Sequence, residues 1–282
     1  GSYAFAGLKA VSVDLPSALV SIADNAFYKC VALKSITIPK LVETIGECCF
    51  YCCTALESVT FEEGSKLRSI AKNAFGECPT LNNITIPASV ETIGEFCFAY
   101  CYALEAVTFE KDSKFEKGSK LTTIGGDAFN TCGALKSITI PASVKTIGVY
   151  CFGWCSALES VTYEDGSILT AIEGHAFYSC SALENITIPA SVGTIGEYCF
   201  AGCSALGSVT YEDSCILTSI GKKAFEECRA LQSIIIPASV STIGEYCFSV
   251  CSALESVTFE EGGNLSSIAN FAFNWCSALQ SI

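Results

Sequence analysis

The stretch Leu183-Glu184-Asn185-Ile186-Thr187-Ile188-Pro189-Ala190-Ser191-Val192-Gly193-Thr194-Ile195-Gly196-Glu197-Tyr198-Cys199-Phe200-Ala201-Gly202-Cys203 decides the fold. Ile186 and Ile188 flank Thr187, the alternation of a strand with one buried face. Pro189 ends that strand, because proline cannot continue a ladder. Val192 and Ile195 supply two more inward residues, and Gly196 marks a turn. The apolar residues around Phe200 and Cys203 recur at three- and four-residue spacing, which predicts a short helical or 3₁₀ segment.

The same pattern runs along the chain. Its opening leucines are Leu8, Leu33, Leu56, Leu81, Leu104, Leu135, Leu158, Leu183, Leu206, Leu231, Leu254 and Leu279. Successive gaps of 25, 23, 25, 23, 31, 23, 25, 23, 25, 23 and 25 residues define two alternating coil types. The gap of 31 carries a six-residue insertion within 112–120. The short coil is the one quoted above. In the long coil, an acidic loop replaces the proline turn, as in Leu158-Glu159-Ser160-Val161-Thr162-Tyr163-Glu164-Asp165-Gly166-Ser167. One coil cannot bury its own apolar side, so stacking must place Ile on Ile, Phe on Phe and Cys on Cys. About eleven coils at roughly 4.8 Å each give a stack about 50–55 Å long. The whole chain, 1–282, is expected to form one solenoid domain whose strands make one parallel sheet.

The run I-T-I-P-x-S-V-x-x-I-G-x-x-[AC]-F-x-x-C-x-x-L resembles the BspA-like leucine-rich repeats, the Treponema pallidum class, over nearly the whole chain. The resemblance implies a right-handed curved leucine-rich-repeat solenoid. Its parallel β-sheet would lie on the concave face, with short helical, 3₁₀ or irregular segments on the convex face. It also implies an extracellular or cell-surface protein used in adhesion and host contact. That functional link is by association, since repeat folds carry many functions.

Composition narrows the partners. The chain carries 16 Lys+Arg against 29 Asp+Glu, net −13, which argues against a phosphate backbone or an anionic membrane surface. No run of about 18 apolar residues is present to cross a bilayer, and no signal peptide is evident. Gly1-Ser2 looks like a cloning scar, so the chain is expected to be cut from a longer one.

Eleven of the nineteen cysteines fall in the F-x-x-C column: Cys30, Cys53, Cys78, Cys101, Cys132, Cys155, Cys180, Cys203, Cys228, Cys251 and Cys276. Cys49, Cys97, Cys151, Cys199 and Cys247 replace the alanine of A-F in short coils. The expectation is a ladder of mostly reduced, buried thiols. A zinc site would need four ligands in a tetrahedron, which a linear column does not offer, and no metal is expected. Cys48, Cys52 and Cys215 lie outside both columns and are the candidates for an exposed, reactive thiol.

No constellation for catalysis emerges, and neither an enzyme nor a cofactor is expected. The single histidine, His175, is expected to be an exposed turn residue without catalytic partners. Paired acids recur in the long coils as Glu62-Glu63, Glu164-Asp165, Glu212-Asp213 and Glu260-Glu261, with Glu110 near Asp112. They are expected to form a solvated ridge, too few oxygens per rung for calcium.

The strand face is the candidate binding surface. Thr37, Thr60, Thr85, Thr108, Thr139, Thr162, Thr187, Thr210 and Thr258 form an outward column, interrupted by Ile235. A Ser/Asn column that includes Ser35 lies two residues earlier on the same face. Strand propensity and stacked hydroxyls account for such columns. A regular hydroxyl lattice could equally bind glycan, protein or even ice, although a concave face fits an ice plane badly. The preceding position is mixed, with Lys34, Glu57, Lys136, Glu159, Glu184 and Glu255 among its residues, and specificity is expected there. Two non-catalytic functions stay open. One is a module binding a protein or glycan through the strand face. The other is a structural protein stacking end to end into homo-oligomers, since neither end shows a polar capping coil.

Overall fold

The computed structural model describes residues 1–112, 114 and 118–282. Each full coil contributes a four-residue strand such as Ser35–Ile38 or Asn185–Ile188, whose isoleucines are buried while Ser/Asn and Thr face out. Long coils end the strand on a half-buried aromatic, as in Ser58–Phe61 and Ser160–Tyr163. The strands pair in parallel along the stack, as the leucine-rich-repeat pattern predicts.

The pairing has a two-coil period. From a short coil to the following long coil all four residues pair, for example Ser137↔Ser160 through Ile140↔Tyr163. From a long coil to the next short coil only the first does in Ser58↔Asn83 and Ser160↔Asn185, and between Ser208–Tyr211 and Ser233–Ile236 none does, which splits this side into a nine-stranded and a two-stranded sheet. Proline supplies the reason. Glu62, Glu164 and Glu212 donate their backbone N–H to Ile38, Ile140 and Ile188 of the preceding coil at 3.0–3.1 Å. In short coils the equivalent position is Pro87 or Pro189, which has no N–H to donate.

The expectation of one parallel sheet needs correction. The V-x-x-I-G segments form a second one, an unbroken eleven-stranded parallel ladder of two-residue strands from Ser21–Ile22 to Ser267–Ile268. Its isoleucines, such as Ile147 and Ile172, point into the core from the other side. Nor is the Ile-Gly glycine there to reverse the chain. A Cβ on Gly148 would lie 2.5 Å from the backbone nitrogen of Gly126, so the residue permits close approach of adjacent coils.

The third side corrects a further expectation. Among the described residues no helix forms over A-F-x-x-C. Alternate amides instead bond to the next coil: Asn25, Phe27 and Lys29 donate to Glu47, Cys49 and Tyr51 at 2.8–2.9 Å. The intervening amides close i→i+3 turns, as in Ala26 to Ala23 and Cys30 to Phe27. Every fourth residue has φ near +55°, for example Asn25 and Lys29, or Tyr150 and Trp154. That is the third position of a type II turn and is incompatible with a helix. A four-residue turn period and a 3.6-residue helix period cannot be told apart over so few residues.

Inside the three sides lies a single continuous core. Phenylalanines from Phe5 to Phe273 stack one per coil, with centroids 5.0–5.4 Å apart. The ten from Phe27 to Phe248 are essentially inaccessible. Of the insertion, Ser113 and residues 115–117 lie outside the described residues. The Asp112 amide donates to the Gly118 carbonyl at 2.7 Å, and Lys111 pairs with Glu164 at 2.8 Å.

Candidate interaction surface

The strands present their polar residues as columns in register. Ser35, Thr37, Thr60, Thr85, Thr108, Thr139, Thr162, Thr187, Thr210 and Thr258 are all exposed, and so are Lys34, Glu57, Lys136, Glu159, Glu184 and Glu255. Two steps of the hydroxyl column are closed by hydrogen bonds. Thr139 meets Thr162, and Thr187 meets Thr210, each at 2.9 Å across a fully paired short–long step. The Ser208 hydroxyl donates to Asn185 Oδ1 at 2.8 Å across such a step. Lys34 and Glu57 lie 3.6 Å apart and well exposed, an ion pair worth at most about 1 kcal/mol. Ile235 is 51% exposed and puts an apolar spot in the column.

The acidic loops do more than carry charge. In the four adjacent pairs the first acid accepts the backbone N–H that follows the preceding coil's proline. Glu62 takes Lys40 at 2.9 Å, Glu164 takes Ala142 at 3.1 Å, and Glu212 and Glu260 take Ala190 and Ala238 at 2.9 Å. The expected ridge is thus half structural. The second acids, Glu63, Asp165, Asp213 and Glu261, remain exposed.

The ladder thiols are tied to the backbone. Each F-x-x-C sulfur lies within hydrogen-bond distance of a phenylalanine carbonyl of the preceding coil, as in Cys101 to Phe75 at 3.3 Å and Cys155 to Phe129 at 3.2 Å. Fifteen of the nineteen cysteines are buried, and none is in a disulfide. Burial pushes the Cys101 and Cys155 thiols up to about 12. The three cysteines outside the columns, the candidates for a reactive thiol, are half-buried, and their thiols are not activated. Burial raises Cys48 and Cys215, and burial with the Glu77 carboxylate pushes Cys52 up to about 11. An activated thiol needs the opposite shift.

His175 is not the exposed turn residue expected. It is half-buried at φ +58°, stacked on Tyr150 at 4.2 Å and on Tyr198 at 4.7 Å. Burial lowers its pKa, against the nearby Glu197. It belongs to a column of positive-φ residues along the turns, where short coils place Phe96, Tyr150, Tyr198 and Tyr246. Left-handed backbone costs about 1–2 kcal/mol for such residues, and ring stacking along the column offsets part of it. This aromatic turn face was missed in the sequence. Its signal was there, as aromatics recurring two residues before the phenylalanine of every short coil from Phe96 onward.

Two sides of parallel strands, a third side of stacked turns and exposed polar columns define a leucine-rich-repeat solenoid. The chain belongs to the BspA type leucine-rich-repeat family, whose model matches six times across residues 1–119, 122–219 and 170–282. Among solved structures, it is similar to the pneumococcal vaccine antigen PcpA, at 25% identity and TM-score 0.57, over 88% of this chain and 67% of that one. It is likewise similar to the T. pallidum leucine-rich-repeat protein, at 27% identity and TM-score 0.52, over 73% and 80% of the two chains. A leucine-rich-repeat protein from Eubacterium ventriosum shares the fold at 24% identity and TM-score 0.55, covering 96% and 78%. No curated protein matches the chain. Among the described residues, no helix is long and apolar enough to cross a membrane.

Proposed function

We propose that this chain is a cell-surface binding module that holds a protein partner on its four-residue-strand face. The observation that carries the reading is the exposed, in-register lattice of Ser, Asn and Thr, bordered by an entry column whose charge changes from Lys34 to Glu57 and from Lys136 to Glu159. A uniform scaffold with one variable column gives a broad contact in which charge sets the partner, rather than a pocket that encloses a small molecule. The surface location is supported by the likeness to a pneumococcal vaccine antigen.

The test is capture of host-surface proteins and glycans on arrays by the intact chain, repeated with Thr139→Arg and Thr162→Arg together. These residues are exposed, so the fold should survive and the partner should be lost. Capture of the same partner by the double variant at unchanged strength would refute the assignment to this face. Capture of a glycan alone would overturn the choice of a protein.

A further inference from the structure

Beyond the strand face, the turn face carries a groove of about 540 Å³ lined by Tyr100, Asp127, Asn130, Thr131, Tyr150 and Trp154. Its origin lies in the repeat. In the long coil Asp127 lies between Phe96 and Tyr150 in its column and Thr131 between Tyr100 and Trp154 in the next, so a hollow opens between the aromatic residues of two short coils. The backbone beneath is fixed on both sides: Tyr100 N–H bonds to Asn130 O at 2.9 Å, and Thr131 N–H to Gly153 O at 2.8 Å. Tyr100 and Trp154 are 40% and 44% exposed. The Trp154 ring lies nearly parallel to Tyr150, which in turn stacks on His175.

The same column shows what a long-coil residue does between two aromatics. Lys223 occupies the position equivalent to Asp127. Its ammonium lies 5.1 Å from the Tyr198 ring centroid and 5.6 Å from that of Tyr246, and 3.1 Å from the Glu226 carboxylate. Lys72 similarly lies 5.6 Å over Phe96 and 2.8 Å from Glu95. The turn face therefore holds ammonium groups by ring faces plus one carboxylate.

At Asp127 the rings and the carboxylate are present without the cation. Asn130 Nδ2 donates to Asp127 Oδ1 at 2.7 Å, and among the described residues no Lys or Arg pairs with this carboxylate. Burial, opposed by the Asn130 hydrogen bond and reinforced by Glu95, holds the Asp127 carboxyl above the usual carboxylate range, as expected where a counter-charge is missing.

We propose that the groove over Asp127, walled by Tyr100, Tyr150 and Trp154, binds an alkylammonium group from outside the chain, in the way the chain binds its own Lys223. The charge comes from a free alkylamine or from a lysine side chain of a macromolecule.

The test uses the full chain carrying Trp275→Phe, which leaves Trp154 as the one tryptophan. Butylammonium and a short lysine-containing peptide are titrated separately while Trp154 fluorescence is followed, with butanol and the Nε-acetylated peptide as neutral controls. Both cations should bind in the millimolar range or tighter and the neutral controls should not, while Asp127→Asn weakens binding by at least about fivefold. Asn73 occupies the same column position in another long coil, so this substitution keeps the fold. Tighter binding of the peptide assigns the site to a macromolecular lysine, and equal binding assigns it to a free amine. Equal binding of the neutral controls, unchanged affinity in Asp127→Asn, or no response of Trp154 would each overturn the proposal.

Discussion

Replacing Phe152 with alanine should cut the molecule's cooperativity in the middle. Phe152 is 0% exposed and stacked on Phe129 and Phe177, both at 5.4 Å and within a few degrees of parallel. Truncating a buried phenylalanine costs about 3–5 kcal/mol. Two stacked partners are lost, each pair worth about 0.5–1.5 kcal/mol beyond burial, which places this site at the upper end. In a solenoid, stability is a sum of coil terms and interface terms, so weakening one central interface uncouples what lies on either side. Urea unfolding followed by circular dichroism should then resolve into two steps, and hydrogen exchange should show the coils around Phe152 opening first. Phe5→Ala is the control. Phe5 is 42% exposed and stacks on Phe27 alone, at 5.0 Å, so its loss should be less than half as large. Equal losses for the two variants, or a single transition with Phe152→Ala costing under about 1 kcal/mol, would refute a core built by coil-on-coil ring stacking.

Alkaline pH should destabilise the fold. Burial raises the folded-state pKa of Cys101 and Cys155 from 9.0 to about 12, so their contribution is complete below pH 9 and is lost as pH rises towards 12. Each should remove on the order of 1 kcal/mol per pH unit in that window, and the pair replaced by alanine should unfold with a shallower alkaline slope in a pH-stepped denaturation. Gly148→Ala should cost more than the few tenths of a kcal/mol expected at an open site, because its Cβ would meet the Gly126 backbone, which cannot move aside. Thermal unfolding of this variant beside Gly64→Ser, a position where a Cβ meets nothing within 4 Å, separates crowding from loop strain.

Much of the fold was legible in the sequence because the repeat samples each position about eleven times. Inward Ile, Phe and Cys columns, outward Thr and strand-ending prolines all follow from period and residue type. Three features escaped for physical reasons. The second sheet has only two residues per strand, too short for alternation to register. The turn face mimics helix spacing, and only φ at residues such as Tyr150 and Trp154 tells the two apart. The roles of Glu164 and Glu212 depend on an amide 22 residues earlier, a contact that exists only once the coils are stacked. At the candidate surface the exposed columns were readable. The Thr139–Thr162 and Thr187–Thr210 hydrogen bonds were not, because they form only once the coils lie in register. The groove at Asp127 arises where Asp127 and Thr131 lie between the aromatic residues of two short coils, and it becomes visible only when three coils are laid side by side.

Coil-upon-coil registration is tested most directly by a time course of iodoacetamide labelling on the native chain at mildly alkaline pH, with every cysteine peptide quantified by mass spectrometry. The four half-buried thiols, Cys48, Cys52, Cys215 and Cys276, react slowly because burial raises their pKa values, but should be labelled well before the fifteen buried ones, which stay unmodified until denaturant is added. Labelling of mid-stack cysteines such as Cys101 or Cys155 as fast as Cys48 would contradict the stacked core.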